Sequence, residues 1–211
     1  MKNFFTDKKL QSNPFVNWLE LFVLLAAIWF ILSEIFERKF MLYGFGSALV
    51  ISLFCLDLFR TGGLKTDRNY FIIHVNIFRF LAYLLWLIKE IIKSSLSVTK
   101  RILKGNRSLN PQIVWFKADY DNPAARALLA NSITLTPGTI TVDIYQDGVY
   151  SVHALADEYA EGLLDGTMQR KVAWVFNEEI DYKQIIVEEE EASETILRLI
   201  PKVYKGNVRR R

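Results

Sequence analysis

Two long apolar runs open the chain. Residues 15–36 are almost unbroken apolar sequence, and residues 40–59 form a second run after a short polar connection. A helix needs about 20 apolar residues to cross the hydrocarbon core of a bilayer, so each run predicts a membrane span. The first run is too long for a cleaved signal peptide, and no small-residue cleavage site follows it. The pattern therefore predicts a transmembrane helical hairpin within residues 1–60.

Residues 71–104 form a third, amphipathic segment. Placed at 100° intervals, they divide into a basic polar face and an apolar face. A helix of this kind lies in the headgroup region of a membrane, with its basic residues toward anionic lipid. Its first half is also apolar enough to be a third span, although His74, Asn76 and Arg79 are costly at membrane depth. Residues 61–104 are therefore predicted as a basic interfacial helix, with a third span as the alternative. The predicted membrane-surface contacts are Lys89, Lys93, Lys100, Arg101 and Lys104.

The second half of the chain has ordinary globular composition. Runs of β-branched and aromatic residues predict strands, and an acidic pair at residues 157–158 predicts a helix N-terminus. The resulting order, β-α-β-β-α, predicts a small α+β, ferredoxin-like domain over residues 105–176. The strands are predicted at 112–117, 139–144 and 149–155, and residues 182–187 are a candidate fourth strand. The helices are predicted at 124–131 and from 157 to 164, or to 176 with an interruption at 165–166.

Charge around the apolar runs predicts the orientation. Lysines precede the first run, and residues 65–107 carry nine basic side chains against two acidic ones. Basic residues concentrate on the cytoplasmic side of membrane proteins, so both ends of the hairpin and the C-terminal domain are predicted to be cytoplasmic. Residues 177–211 form an acidic extension, predicted to be solvated, with a contact arm for a basic surface as the alternative.

A dense motif lies between the predicted helix and the hairpin strands. Residues 131–143 read Asn-Ser-Ile-Thr-Leu-Thr-Pro-Gly-Thr-Ile-Thr-Val-Asp, and Val-His-Ala-Leu follows at 152–155. Pro137 and Gly138 mark a turn, because proline presets φ and glycine adopts positive φ without steric cost. The predicted structural motif residues are Asn131, Thr134, Thr136, Pro137, Gly138, Thr139, Asp143 and His153.

This motif resembles the E-subunit family of the Mrp (Mnh, Pha) multisubunit cation/proton antiporters. Two spans followed by a basic amphipathic helix fit the same family, so the likeness covers about residues 15–170. The resemblance implies an accessory, non-catalytic subunit that supports assembly and activity of a Na⁺:proton antiporter in pH and sodium homeostasis. It implies the cell membrane of a prokaryote, other membrane subunits as partners, and no cofactor or small-molecule substrate of the chain's own.

The residues themselves offer little catalytic chemistry. Zinc, nucleotide-phosphate and serine-hydrolase motifs are all missing from the sequence, so neither an enzyme nor a metal site is predicted. Asp143 and His153 lie on adjacent predicted strands; a proton-handling pair is one hypothesis, and a structural or solvent-facing pair fits better. The motif threonines suit turn and cap chemistry better than a bound ion. The basic stripe directly after two spans fits a membrane surface rather than nucleic acid.

The predicted spans carry no ionisable residue at their centres. Subunits that translocate ions hold such residues at membrane depth, so this pattern favours a supporting role. The alternative function is a membrane-anchored regulatory or ligand-binding module that acts on a partner transporter.

Overall fold

A computed structural model of the chain describes residues 12–34, 37–103, 109–145, 147–180 and 182–185. They form two compact units. The hairpin unit comprises the residues up to 76 together with 121–124, and the α+β unit comprises residues 77–120 and those from 125 onward. The part of the acidic extension beyond residue 185 lies outside the described residues, as do Lys104 and the lysines that precede the first span.

Two antiparallel helices, α1 (Pro14–Ser33) and α2 (Arg38–Cys55), make up most of the hairpin unit. Both are long and apolar enough to cross a membrane. The side chain of Asn13 caps α1 by accepting a 3.0 Å hydrogen bond from the amide of Phe15, and Pro14 occupies the first helical position. Helix α1 ends three residues before the end of its apolar run, and α2 ends four residues before the end of its run.

Small residues let the two helices approach closely. Gly44, Ala48 and Ser52 of α2 are buried at a spacing of four. A Cβ atom on Gly44 would overlap the indole of Trp29, so only glycine fits beneath that ring. A Cβ atom built on Gly46, by contrast, would meet nothing within 4 Å beyond its own stretch of helix, so Gly46 lies outside this contact. The small-residue face therefore closes the hairpin through one side of α2.

A short ribbon completes the hairpin unit. After a 3₁₀ turn (Leu56–Phe59), strands β1 (Arg60–Gly62) and β2 (Asn69–Phe71) pair in antiparallel fashion. Leu21, Leu56 and Phe71 form the buried cluster that joins the ribbon to α1. The hydrophobic pattern did not reveal this ribbon, because three-residue strands are too short to establish a period.

The α+β unit begins with α3 (Ile77–Leu103), a helix of 27 residues. It starts six residues later than the apolar pattern indicates, because residues 69–71 are in strand β2. Within the described residues only α1 and the region from α2 to Phe59 are apolar enough for candidate spans, so α3 does not qualify as a third one.

The rest of the unit is a four-stranded antiparallel sheet covered by helices on one face. Phe116 and Tyr150 stack at 5.0 Å between the sheet and the helices, and both are fully buried. On the opposite face, Ile113 and Ile140 are more than half exposed. The strand order in the sheet is β4-β5-β3-β6. The elements are β3 (Gln112–Ala118), α4 (Pro123–Leu135), β4 (Thr139–Ile144), β5 (Val149–Ala154), α5 (Asp157–Leu164), α6 (Thr167–Phe176) and β6 (Tyr182–Ile185).

Helix α4 also departs from the predicted elements. It ends at Leu135, whereas the sequence indicates an end near Asn131. The first part of the motif is therefore helical. The interrupted form of the last helix is confirmed: α5 and α6 are separated at Asp165 and Gly166.

Candidate functional site

Threonine hydroxyls extend α4 through the first part of the motif. Thr134 donates to the carbonyl of Ala130 at 3.0 Å, and Thr136 donates to the carbonyl of Ser132 at 2.9 Å. Threonine bonds of this kind, four residues back, satisfy carbonyls at a helix end while the side chains stay within helical geometry. With these bonds in place, α4 continues to Leu135, beyond the predicted end at residue 131.

Two further hydroxyls fasten β4 to the end of α4. Thr139 is buried, and its hydroxyl lies 2.7 Å from the carbonyl of Ile133 and 3.0 Å from that of Thr136. Thr141 donates to the carbonyl of Ala130 at 3.0 Å. The hydroxyl hydrogens of these motif threonines are thus used on backbone carbonyls, and none is left for a bound anion. The arrangement corresponds to turn and cap chemistry.

The motif also covers the exposed edge of the sheet. Strand β4 is an edge strand, and the amide of Thr141 donates to the Thr134 hydroxyl at 3.2 Å. The amide of Ile144 donates to the carboxylate of Asp143 at 2.7 Å. These side chains therefore satisfy amides of the edge strand that could otherwise pair with a strand of another chain.

The turn at Pro137 and Gly138 fits tightly against its surroundings. Gly138 has φ +93°, and a Cβ atom there would lie 2.9 Å from the ring of Tyr159. Ser94 of α3 donates to the carbonyl of Pro137 at 2.5 Å. The turn predicted from sequence is present, and it touches both α3 and α5.

Asp143 and His153 are not cross-strand neighbours. Asp143 lies opposite Ser151 and His153 lies opposite Ile140, with a β-bulge between Thr141 and Asp143. Two positions along β5 therefore separate the carboxylate from the imidazole. The register places the two residues diagonally rather than directly opposite each other, and the proton-handling pair stays a hypothesis.

The polar face of α3 binds the rest of the α+β unit. Tyr83 is buried, and its hydroxyl donates to that of Ser132 at 2.6 Å. Burial raises the pKa of Tyr83 to about 12, despite the opposing effect of this hydrogen bond. Arg79 donates to the carbonyl of Trp174 at 3.1 Å and lies over its indole ring. The polar face therefore docks on α4 and α6.

A charged cluster lies near the C-terminal end of α3. Arg101 donates to Glu158 at 2.8 Å, and Ser97 donates to the same carboxylate at 3.2 Å. The hydrogen bond from Arg101 lowers the pKa of the Glu158 carboxyl. Arg101, expected at the lipid surface, is thus engaged inside its own unit. Lys89, Lys93 and Lys100 are exposed, and their contact with lipid stays a prediction.

A cavity of about 280 Å³ lies between α3 and the motif turn. Its wall includes Trp86, Lys93, Ser94, Pro137 and Thr139. The hydroxyls of Ser94 and Thr139 already donate to backbone carbonyls, so these two side chains have no hydroxyl hydrogen left for a ligand.

Asp121, which stands just before the N-terminus of α4, is the centre of a hydrogen-bond cluster that the sequence analysis did not predict. Asn122 makes that cap by accepting from the amide of Ala124, while Asp121 accepts from the amides of Lys65 and Thr66 at 2.6 and 2.9 Å. The hydroxyls of Thr66 and Tyr70 donate to the same carboxylate. Partial burial alone would raise the pKa of Asp121, but these hydrogen bonds outweigh it and lower the pKa to about 2.

The hairpin unit also contains a side-chain pair that the sequence analysis did not predict. Nδ1 of His74 lies 3.0 Å from both carboxylate oxygens of Glu20. The partners of this pair and of the Asp121 cluster stand more than 50 positions apart, and no local spacing signals such contacts. Among the described residues, no group of three or more His, Cys, Asp or Glu side chains is placed to hold a metal ion.

Comparison with known proteins gives one matching family. The family model MNHE, described as a Na⁺/H⁺ ion antiporter subunit, matches residues 22–175. The E subunit of the Na⁺/H⁺ antiporter of Bacillus subtilis (strain 168) is 36% identical over 75 residues, which are 35% of this chain and 48% of that protein. The corresponding E1 protein of Staphylococcus saprophyticus is 33% identical over 107 residues, 50% of this chain and 64% of that protein. The match thus spans about half the length of the Bacillus protein.

A solved structure has a similar fold. It is a chain of the membrane-bound sulfane sulfur reductase (MBS), an archaeal respiratory membrane complex. The TM-score is 0.58 at 24% identity, and the match covers 76% of this chain and 99% of that chain.

Proposed function

The chain belongs to the MNHE family of Na⁺/H⁺ ion antiporter subunits, and we propose that it is an accessory subunit of a multisubunit antiporter. In this role it moves no ion itself and supports the assembly and activity of the complex. The partners are other membrane subunits, and the exchanged ions are Na⁺ and H⁺. The bacterial relatives and the candidate membrane helices make it a prokaryotic membrane protein.

The absence of charge along the two spans carries the non-catalytic part of the proposal. From Leu21 to Ser33 in α1, and from Phe40 to Cys55 in α2, the sequence has no Asp, Glu, Lys, Arg or His. An ion pathway at membrane depth needs ionisable or strongly polar groups. Glu20, the one acidic residue of α1, is held by His74 of the same unit.

Reconstitution tests this role. The purified chain alone in proteoliposomes should give no sodium-driven pH change, whereas the complete complex should give one. A complex prepared without this chain should assemble in lower yield or exchange ions more slowly. Sodium-driven proton movement by the chain alone would overturn the proposal, and so would a complex of normal yield and activity without it.

We also propose a topology. Both ends of the hairpin and the α+β unit face the cytoplasm, because basic residues flank the hairpin there. The α+β unit is of the ferredoxin-like class, which the strand order β4-β5-β3-β6 and the sequence of elements support. A cysteine at Val142, an exposed side chain of β4, should react with impermeant maleimide in inverted vesicles and stay protected in intact cells. The reverse labelling pattern would contradict a cytoplasmic unit.

The second candidate function is a membrane-anchored ligand-binding module. The cavity beside Trp86 and Lys93 is the observation that favours it. A ligand in this cavity would raise the melting temperature of the full chain, and substituting Trp86 by Ala would abolish that rise. A screen of cations and small anions without any such shift would leave the accessory role alone.

A further inference from the structure

Helix α3 carries an apolar stripe on the side turned away from the α+β unit. Its large side chains recur at three- or four-residue spacing with one interruption at Thr99, and therefore share one face of the helix. Their exposed fractions run from 49% at Leu81 to 81% at Phe78. The apolar stripe consists of Phe78, Leu81, Leu85, Ile88, Ile92, Leu96 and Leu103.

The stripe cannot turn inward. The opposite side of α3 is already committed to the unit through the bonds of Arg79, Tyr83 and Ser94. Rotating the helix to bury the stripe would break all three of these bonds and expose Leu87, which is buried. The stripe therefore stays outward while α3 is docked on the unit.

An outward apolar face of this length needs a cover. A helix of 27 residues is about 40 Å long. Contiguous exposed apolar patches on soluble domains are smaller than such a face, and larger ones mark contact sites. Among the described helices α3 is not one of the candidate spans, so a membrane surface fits this face better than a position across the bilayer.

The charge beside the stripe identifies the cover. Lys89, Lys93 and Lys100 are exposed and lie along one border of the stripe at 100° per residue. We call these three residues the lysine flank. Lys93 is 77% exposed and 3.8 Å from Glu90. Lysines at the border of an apolar face can immerse their carbon chains and leave their ammonium groups at lipid phosphates.

We propose that α3 lies flat in the headgroup region of an anionic bilayer, with the apolar stripe at the acyl boundary and the lysine flank at the phosphates. This assigns the membrane contact to the face opposite Tyr83 and removes Arg101 from it, since Arg101 binds Glu158. The bilayer is the one that the hairpin crosses, because only residues 60–76 separate α3 from the candidate span that ends at Phe59. This contact deepens the membrane-surface role of the chain and does not depend on antiport.

Spin-label accessibility in nanodiscs tests the stripe. The full chain with Cys55→Ser would carry a single cysteine label at Leu85, Ile92 or Ile140, in nanodiscs of phosphatidylcholine and phosphatidylglycerol. Ile140 is the matched control: an apolar side chain, 56% exposed, on the open face of the sheet. Labels at Leu85 and Ile92 should collide with oxygen in lipid and be shielded from a water-soluble nickel chelate. The label at Ile140 should collide with the chelate.

Two results would overturn the stripe assignment. Collision of the chelate with Leu85 and Ile92 would place the stripe in water. Shielding of both positions from oxygen as well as chelate would mean that protein, either the hairpin or a second copy, covers it. Because only this chain is present, neither result bears on the accessory role in the antiporter.

Charge reversal tests the lysine flank. The test combines three substitutions: Lys89→Glu, Lys93→Glu and Lys100→Glu. In nanodiscs with phosphatidylglycerol, the ratio of oxygen collisions to chelate collisions for a label at Leu85 should then fall at least about threefold. It should change little in phosphatidylcholine alone. Lys117→Glu with Lys183→Glu, cross-strand neighbours in the sheet, is the control and should leave the ratio unchanged. If this ratio fell equally in both lipids, or fell as much in the control variant, the lysine flank would not bind the membrane through lipid charge.

Discussion

The hydroxyl of Tyr83 donates a 2.6 Å hydrogen bond to the hydroxyl of Ser132, and this buried contact joins α3 to the helix that carries the motif. The two residues stand 49 positions apart. The bond explains how an amphipathic helix that follows the hairpin in the chain becomes part of the α+β unit: its polar face is used for docking, and its apolar face is left outward.

The Tyr83–Ser132 bond should appear as a coupling energy. We expect Tyr83→Phe and Ser132→Ala each to reduce the free energy of unfolding of the detergent-solubilised chain by about 1 kcal/mol. The double variant should lose about 1 kcal/mol less than the sum, since the second change removes a partner that is already unpaired. Tyr120→Phe, which removes a different buried bond to the carbonyl of Gln169, should be additive with Ser132→Ala. If the losses from Tyr83→Phe and Ser132→Ala were simply additive in the double variant, this hydrogen bond would contribute nothing to the free energy of unfolding.

High pH should weaken the α+β unit through the same residue. The pKa of Tyr83 is raised from its ordinary value of 10 to about 12, so the folded state holds its proton more tightly than the unfolded state. The resulting stabilisation is complete below pH 10 and is lost as the pH rises from 10 to 12. In denaturant titrations, Tyr83→Phe should lower the slope of stability against pH in this window. An unchanged slope would contradict the burial effect.

Gly138 should tolerate no side chain. Gly138→Ala should cost about 3 kcal/mol, because φ +93° strains an L-residue and the new methyl meets the ring of Tyr159. Gly162→Ala in α5 is the matched control, since a Cβ there meets nothing within 4 Å, and it should be neutral or stabilising. Thermal melting followed by circular dichroism measures both. Equal melting temperatures for the two variants would refute the positional argument.

The Thr139 hydroxyl should matter more than its methyl group. Thr139→Val keeps the shape but leaves the carbonyl of Ile133 without this donor, and should cost about 1–3 kcal/mol. Thr139→Ser keeps the donor and should recover most of the loss. Chemical denaturation of both variants decides between them; a serine variant as unstable as the valine variant would point to packing instead.

Acid should loosen the loop around Asp121. Its pKa is lowered to about 2, so the ionised carboxylate stabilises the loop fully above its ordinary pKa near 4, and this stabilisation is lost as the pH falls from 4 toward 2. In hydrogen exchange corrected for intrinsic rates, the amides of Lys65 and Thr66 should lose protection in that window. Asp121→Asn should raise their exchange on the order of tenfold at neutral pH. Protection that is independent of pH in the wild type would argue against the carboxylate.

Local patterns sufficed for most of the elements. Apolar run length marked both spans, and the break at Asp165 and Gly166 marked the division between α5 and α6. The amino-acid sequence of residues 131–143 was enough to indicate the family. The family-model match over residues 22–175 confirms that assignment. These features are encoded by neighbours in sequence, and one stretch of chain is enough to express them.

Other features were decided by tertiary structure. The helix period separates the two faces of α3, but the docking partners Ser132, Trp174 and Glu158 determine which face is buried, and they lie far along the chain. The bonds of Thr139 and Thr141 to carbonyls of α4 depend on the turn at Gly138, which brings β4 back against that helix. Contacts between distant residues depend on where whole elements pack, and a periodicity along the sequence does not contain that information.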